Sequence, residues 1–388
     1  MPSFSQRPQV LDAKISAGKR NVSNSTYQNA EQYGVAKIGK SALESFMLAV
    51  FAGAFIALAF VFYITVTTGA TGPWGLIRLA GGLAFSLGLI LVVVAGGELF
   101  TSTVLTSVAW AQKRISSKTL AVVWARVFVG NLVGAIIVIG LVFVGGMHQL
   151  DGGAWGLNAL HIAQHKLHHT WGQAFALGIL CNMLVCLGVW MTFATKDVLT
   201  KVMLLILPVA MFVSSGFEHS IANLFMVPYG ILVANFAGSG FFDLVGVSAA
   251  EFSDLTLGNF VSHNLFPVVL GNIVGGGVFV GLGYWLTQRV NQTAQASQNP
   301  PVTAQVSKPT AGLHINDVMN QVPITLHSEQ SVFEGFKCLN EAGESGAPVL
   351  DAKQRLIGYV TQQDLLKSIC SQADMHNNKD RVADIIQR

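Results

Sequence analysis

A glutamate and a histidine stand side by side in this chain, Glu218 and His219, with Ser220 and Asn223 just beyond them. Their flanks, LLILPVAMFV and LFMVPYGILV, are fit for the interior of a bilayer. An ionisable side chain there costs at least ~2.5–3.5 kcal/mol on insertion scales, so its presence points to function. A second glutamate, Glu98, sits in AGGELFTS, with Thr101 three residues further on. Each glutamate follows a cluster of small residues that breaks a helix. A half-helix starting there has free backbone N–H groups and the positive end of its dipole. Both carboxylates are therefore expected to cap such a helix. His219 differs, because its counterpart by register is Leu99 and nothing in its half requires a base. The plainer alternative is a satisfied core histidine. Its place just after a helix break favours a role in a pore.

The elements that must hold these residues are membrane helices. Of 388 residues 52% are hydrophobic and 11% charged, against about 25% charged in an ordinary soluble domain. Runs long enough to cross a bilayer, for which about 20 residues suffice, are predicted near 42–68, 77–112, 119–146, 170–194, 200–235 and 258–288. The second and fifth are too long and interrupted to be plain helices. No apolar leader segment opens the chain, so no cleavable signal peptide is expected. Basic residues crowd the loops on one side: Lys37 and Lys40, then Lys113, Arg114 and Lys118, then Lys196 and Lys201, then Arg289. The loop between the fifth and sixth spans carries Asp243, Glu251 and Asp254 instead. This places both termini in the cytoplasm and the chain as a multi-pass protein of the cell membrane. Disulfides among Cys181, Cys186, Cys338 and Cys370 are not expected there.

The chain also repeats itself. VGNLVG in the third span returns as LGNIVG in the sixth, and AGGELFTS in the second has its match in SSGFEHS in the fifth. Two three-span halves in tandem have opposite orientations, and their broken helices meet near the midplane at a permeation site. Helix N-termini aimed at that site favour an anion. Asn182, Thr101 and Ser220 offer hydrogen bonds, while Phe85, Leu89, Leu99, Phe100 and Phe212 stand where they would narrow the lumen. A bare anion would be desolvated at such constrictions at large cost. A small monocarboxylate that picks up a proton would not, and an imidazole titrates near neutral pH.

The stretches AFVFYITVTTG, FSLGLILVVVAGGELFTSTVL, GNLVGA, HKLHHT, GILCNMLVCLGVWM, LPVAMFVSSGFEHSIANLFMVP and GNIVGGG resemble the formate/nitrite transporter family, its formate channels in particular. The resemblance runs from about Tyr33 to Asn291. It implies an aquaporin-like fold, a homopentamer with one pore per protomer, and passage of formate and related small monovalent anions. It makes His219 the central pore histidine, Thr101 the loop threonine, Asn182 the pore asparagine and Lys166 the lysine of HKLHHT. Glu98 stands where a close formate channel is expected to have Asp. Lys166 is placed to draw anions in. Its neighbours His161, His165, His168 and His169 lack supporting Cys or acidic ligands, so no metal is expected and a polar vestibule loop is.

After a Gln-, Thr- and Pro-rich stretch at 290–312, expected to be a flexible linker, the pattern changes to strand, helix, strand, turn, strand, helix. DVM, SGAPVLD and GYVTQQD resemble the cystathionine-β-synthase (CBS) domain, a small α/β module that implies an adenine nucleotide held near Gly358, Thr361 and Asp364. Asp364 is equally suited to an N-cap. RVADIIQR at the end reads as the opening of a second copy, so a lone module would pair with another copy or a cytoplasmic partner.

The expected organisation is an N-terminal cytoplasmic segment at 1–41, an all-α six-span transport domain at 42–289, the linker at 290–312 and the CBS-like domain at 313–388. The function expected is an anion channel for formate, coupled to protons, with possible control through the CBS domain. Nitrite, hydrosulfide or another short monocarboxylate is the alternative substrate, and a membrane-anchored adenine-nucleotide sensor the alternative class. No nucleophile–base pair stands out, so no enzyme is expected. The transport part requires no cofactor on this reading, and no nucleic acid is expected as a partner.

Overall fold

In the computed structural model residues 26–298, 324–342, 344–372 and 381–385 are described, and they fall into two units that divide near residue 301. The linker expected at 290–312 is helical through Gln298, so that part of the expectation is corrected; its remainder, the DVM motif at 317–319 and the polar stretch before 26 lie outside the described residues.

The first unit is helical because its long apolar runs must satisfy their own backbone groups inside lipid. A helix over 26–39 (α1) leads to Ser41, whose hydroxyl accepts from the Glu44 N–H and starts α2 (Ala42–Thr67). Next comes α3 (Trp74–Val94), which stops at Gly96 in the left-handed region. After the break run α4 (Phe100–Thr103), a 3₁₀ turn, and α5 (Ser107–Ala111), followed by α6 (Ser117–Val144). The second half begins with α7 (Ala154–Leu167) and α8 (Trp171–Thr192), the latter opened by a capping box at Thr170 and Gln173. It continues with α9 (Val198–Ser214), a break at Gly216, and α10 (Ser220–Phe236). A short α11 (Ser239–Val245) precedes the last span, which runs through α12 (Leu257–Asn259), α13 (Phe266–Asn272) and α14 (Gly283–Gln298) with two π-helical stretches between them. Five helices among the described residues can cross a membrane by length and composition, or six if a bent pair counts as one.

The expected repeat is visible residue by residue. Helices α2 and α8 start 129 residues apart, at Ala42 and Trp171, and both begin after a hydroxyl cap. Helix α6 packs on α2, and the last span, in α13 and the π-helical stretch Ile273–Leu282 after it, packs on α8, both through small residues. A Cβ on Gly134 would collide with the Val50 carbonyl oxygen, and one on Gly275 with that of Ile179. These two glycines therefore let backbones meet at equivalent places.

The second unit contains a three-stranded sheet in the order β1 (Leu326–His327), β2 (Gly346–Leu350), β3 (Leu356–Thr361). β1 pairs parallel with β2, and β2 antiparallel with β3. Helices α15 (Val332–Ala342) and α16 (Gln362–Gln372) complete it. Its core holds Leu326, Leu339, Val349, Val360 and Leu365. Val382 belongs to the same core, and its N–H donates to the Gln330 carbonyl. Residues 381–385 thus pack onto this domain, through Val382.

Candidate pore and its central site

The two helix breaks are held by asparagines that the sequence reading passed over, although both lie in the GN motifs that revealed the repeat. Asn131 Oδ1 accepts from the Phe100 N–H at 2.8 Å, and its Nδ2 donates to the carbonyls of Glu98 and Ala49. Asn272 does the same one repeat later: Oδ1 accepts from the Ser220 N–H at 2.9 Å, and Nδ2 donates to Glu218 and Gly178 carbonyls. Ala49 and Gly178 are equivalent under the 129-residue offset. Each break is thus clamped by an asparagine of its own half.

The glutamates do not cap the half-helices, and that expectation is corrected. Both are buried, but their carboxylates turn toward cations at the two mouths of the pore. Glu98 is 2.9 Å from Lys40 Nζ and 4.0 Å from Lys37 Nζ, and it accepts from Ser45 Oγ at 2.7 Å. Glu218 is 2.9 Å from Lys166 Nζ and 3.6 Å from His169 Nε2, and it accepts from Asn223 and Asn264 amides. The offset that relates α2 to α8 takes Lys37 to Lys166 and Lys40 to His169. Helix α1 is therefore to the first half what α7 is to the second. A full charge outcompetes a backbone N–H for a buried carboxylate, which explains the change of partner.

The cap of α10 is His219 itself. Its Nδ1 accepts from the Ala222 N–H at 3.0 Å, which leaves the ring's proton on Nε2. Nε2 lies 3.0 Å from Thr101 Oγ1, so the imidazole donates and the hydroxyl accepts. The Thr101 proton then points away, free for another acceptor. Thr101 and His219 come from different halves and are both buried. Asn182 Nδ2 donates to the Thr101 carbonyl at 3.0 Å and to that of Asn272, which fixes the height of the threonine. Asn182 Oδ1 and Ser220 Oγ are buried without a partner among the described residues.

Phe212 stacks on His219 with ring centroids 5.8 Å apart and meets Phe85 edge-on at 6.1 Å. These rings and the His219–Glu218 pair line a cavity of about 100 Å³ reached from the α7 side. On the α1 side Lys37, Lys40, Val92 and Ser102 line another, of about 330 Å³. Leu89 and Leu99 are buried, Leu99 at the start of α4. Phe100 packs edge-on against Phe128 of α6. The histidines around Lys166 disperse: His161 lies against Phe252, His165 against His169, and His168 pairs with Asp254. In the second unit Thr361 caps α16 by accepting from the Asp364 N–H, and Asp364 Oδ2 accepts from the Thr361 hydroxyl at 2.6 Å. Gly358 lies in β3 opposite Val349.

Helices broken at mid-membrane, paired across an inverted repeat and facing a buried hydroxyl–imidazole contact, define a membrane pore of the transport class. Residues 24–286 match the formate/nitrite transporter family, and the chain belongs to that family. Residues 315–371 match the CBS domain. The chain is 53% identical over 258 residues to the formate channel FocA of Escherichia coli (strain K12), covering 66% of this chain and 90% of the relative. It is 48% identical over 254 residues to the formate channel FocA of Haemophilus influenzae, covering 65% and 89%. A solved pentameric formate channel with formate bound superposes with a TM-score of 0.62 at 57% identity, covering 64% of this chain and 98% of that one.

Proposed function

We propose that this protein is a channel for formate and related small monovalent anions, assembled as a homopentamer with one pore per protomer. The observation that carries the reading is the buried Thr101–His219 contact, held beside the Phe85–Phe212 constriction. Thr101 presents its hydroxyl proton to an arriving carboxylate oxygen, and His219 Nε2–H backs that hydroxyl. The anion held there takes its proton from vestibule water by way of the hydroxyl, so that Thr101 and His219 end each passage with the protons they began with, and the uncharged acid crosses the apolar rings without the desolvation cost of an ion. When the acid ionises on the far side the proton is returned to water. Lys166, paired with Glu218, recruits the anion, and Asn182 holds Thr101 at its height. Glu98 anchors α1, Ser220 lends a further hydroxyl, and Leu89, Leu99, Phe100 and Phe212 with Phe85 keep the path narrow. No step here makes or breaks a bond other than that of the proton, so the protein is not an enzyme.

Both termini and α1 are assigned to the cytoplasm of an inner membrane, the side on which Lys113, Arg114, Lys118 and Lys196 gather. The chain divides into a segment at 1–41, the transport domain from 42 to the end of α14 at Gln298, a tether at 299–312 and a cytoplasmic CBS domain at 313–388. The CBS domain's proposed ligand is an adenine nucleotide at Gly358, Thr361 and Asp364. The latter two already bond each other, so a nucleotide must use the remaining lone pairs of the Thr361 hydroxyl or open the cap.

Flux into liposomes tests the pore. Reconstituted protein is expected to carry formate much faster than chloride, with nitrite between them, and His219→Ala to lose the proton coupling of formate entry. Equal, equally coupled flux in the variant would refute the relay.

A further inference from the structure

The α7-side vestibule holds a cation that the reading above does not use. Arg78, on the second turn of α3, lines the same cavity as Lys166, Glu218, Phe85 and Phe212. Its Nε donates to the Ser214 carbonyl at 2.9 Å and its Nη2 to the Val213 carbonyl at 3.0 Å. Its Nη1 reaches Tyr63 Oη at 3.2 Å, and Ser214 Oγ donates back to the Arg78 carbonyl. Those three bonds use three of the five guanidinium N–H groups. Val213 and Ser214 are the last residues of α9, immediately after Phe212.

The C-terminal end of a helix carries bare carbonyls and about half a negative charge. At the break of α9 this end lies beside the path of an incoming anion, which it would repel. The Ser214 carbonyl accepts from Arg78, and the Val213 carbonyl accepts from both Arg78 and the Gly216 N–H. Folding alone does not demand this. In the register that pairs Glu98 with Glu218, the place of Arg78 is taken by Val198, which is exposed, and α3 ends without a guanidinium. The neighbouring titratable groups do not replace Arg78. Lys166 is committed to Glu218, and His169 faces the same carboxylate. Burial, with His169 and Lys166 close by, pushes His165 below its ordinary value, so it is uncharged at neutral pH.

We propose that Arg78 is the second anion-recruiting cation of this vestibule: it masks the C-terminal end of α9 and positions Phe212, and so sets the concentration at which small monovalent carboxylates enter. The inference rests on the channel reading above. It makes Arg78 a positioning and charge-supplying residue for entry, distinct from the Thr101–His219 pair that handles the proton.

Initial formate flux of the full chain in liposomes, measured against formate concentration at neutral pH and at two ionic strengths, tests it. Arg78→Gln keeps donors for the carbonyls but loses the charge. The half-saturating formate concentration should rise about five- to tenfold, with maximal flux within about twofold of the parent and a flatter salt dependence. Arg78→Lys should restore most of both. Half-saturation unchanged in Arg78→Gln overturns the proposal, as does an equal loss of maximal flux in both variants with unaltered half-saturation. If Arg78→Gln does not assemble, the comparison rests on Arg78→Lys and on the parent's salt dependence, and parent flux at low formate that ignores salt refutes the charge role. A parent that carries no formate overturns the channel reading and this inference with it.

Discussion

At the scale of single residues the site turns on who bonds to whom. His219 does two things: Nδ1 caps α10 and Nε2 faces Thr101. Replacing it with alanine should cost about 1 kcal/mol of stability through the lost cap and also abolish proton coupling. His219→Asn separates the roles, because an asparagine caps well. Its thermal midpoint in detergent should return to near that of the parent, while proton-coupled formate flux stays lost. Recovery of coupled flux in His219→Asn would count against the relay. Asn272→Ala should be worse for stability than either, by about 3 kcal/mol or more, since it leaves the Ser220 N–H and two carbonyls unpaired in a buried place. A melting shift no larger than that of an exposed substitution would contradict the clamp. The sequence pointed to His219 by a difference between halves, which a single chain can show. It did not reveal that Glu98 would meet Lys40, because that pairing depends on how α1 docks across 58 residues of chain. The asparagines lie in the GN motifs, but the glycines beside them already account for the repeat by close packing, so the clamping role is not legible from the motif alone.

At the scale of elements, apolar length was enough to place the spans, and the small-residue clusters were enough to place the two breaks. The docking of α1 was not legible, since its partners are groups brought together only by the fold. Burial pushes the Lys37 ammonium down to about 8 from its ordinary value of 10.5, with Glu98 opposing the change. A proton bound less tightly in the docked state opposes docking while the lysine is charged. Docking of α1 is therefore weakest below about pH 8 and strengthens as pH rises from there toward 10.5. Hydrogen exchange over 26–39, corrected for its intrinsic pH dependence, should show protection that grows between pH 7 and 9.5 and becomes flat in Lys37→Met. Protection independent of pH in the parent would rule this out. A second element-level outcome concerns Gly134, whose Cβ would strike α2. Gly134→Ala should lower the yield of folded protein far more than a similar change at Gly140, where nothing lies within 4 Å.

For the whole molecule, the family and the small C-terminal domain are both readable from motifs. One CBS module matches, at residues 315–371, and Val382 packs into the domain's core. In the proposed pentamer five modules cannot all pair by two-fold axes, and one must stay free or meet a partner from outside. A chain ending at 298 should still assemble and carry formate within about twofold of the full chain, and any effect of adenine nucleotides on flux should vanish with the domain. Loss of flux in the shortened protein would make the domain structural and not regulatory. The clamps at Asn131 and Asn272 have one more consequence. Each clamp belongs to the half whose break it holds, and the bonds that cross between the halves, Asn182 to the Thr101 carbonyl and Arg78 to the Val213 and Ser214 carbonyls, are non-covalent, so the link at Gly152–Gly153 is dispensable for the breaks. Two polypeptides, 1–152 and 153–388, should find each other when produced in the same cell and rebuild a conducting pore. The protein would then be two interlocking pieces that happen to be translated as one.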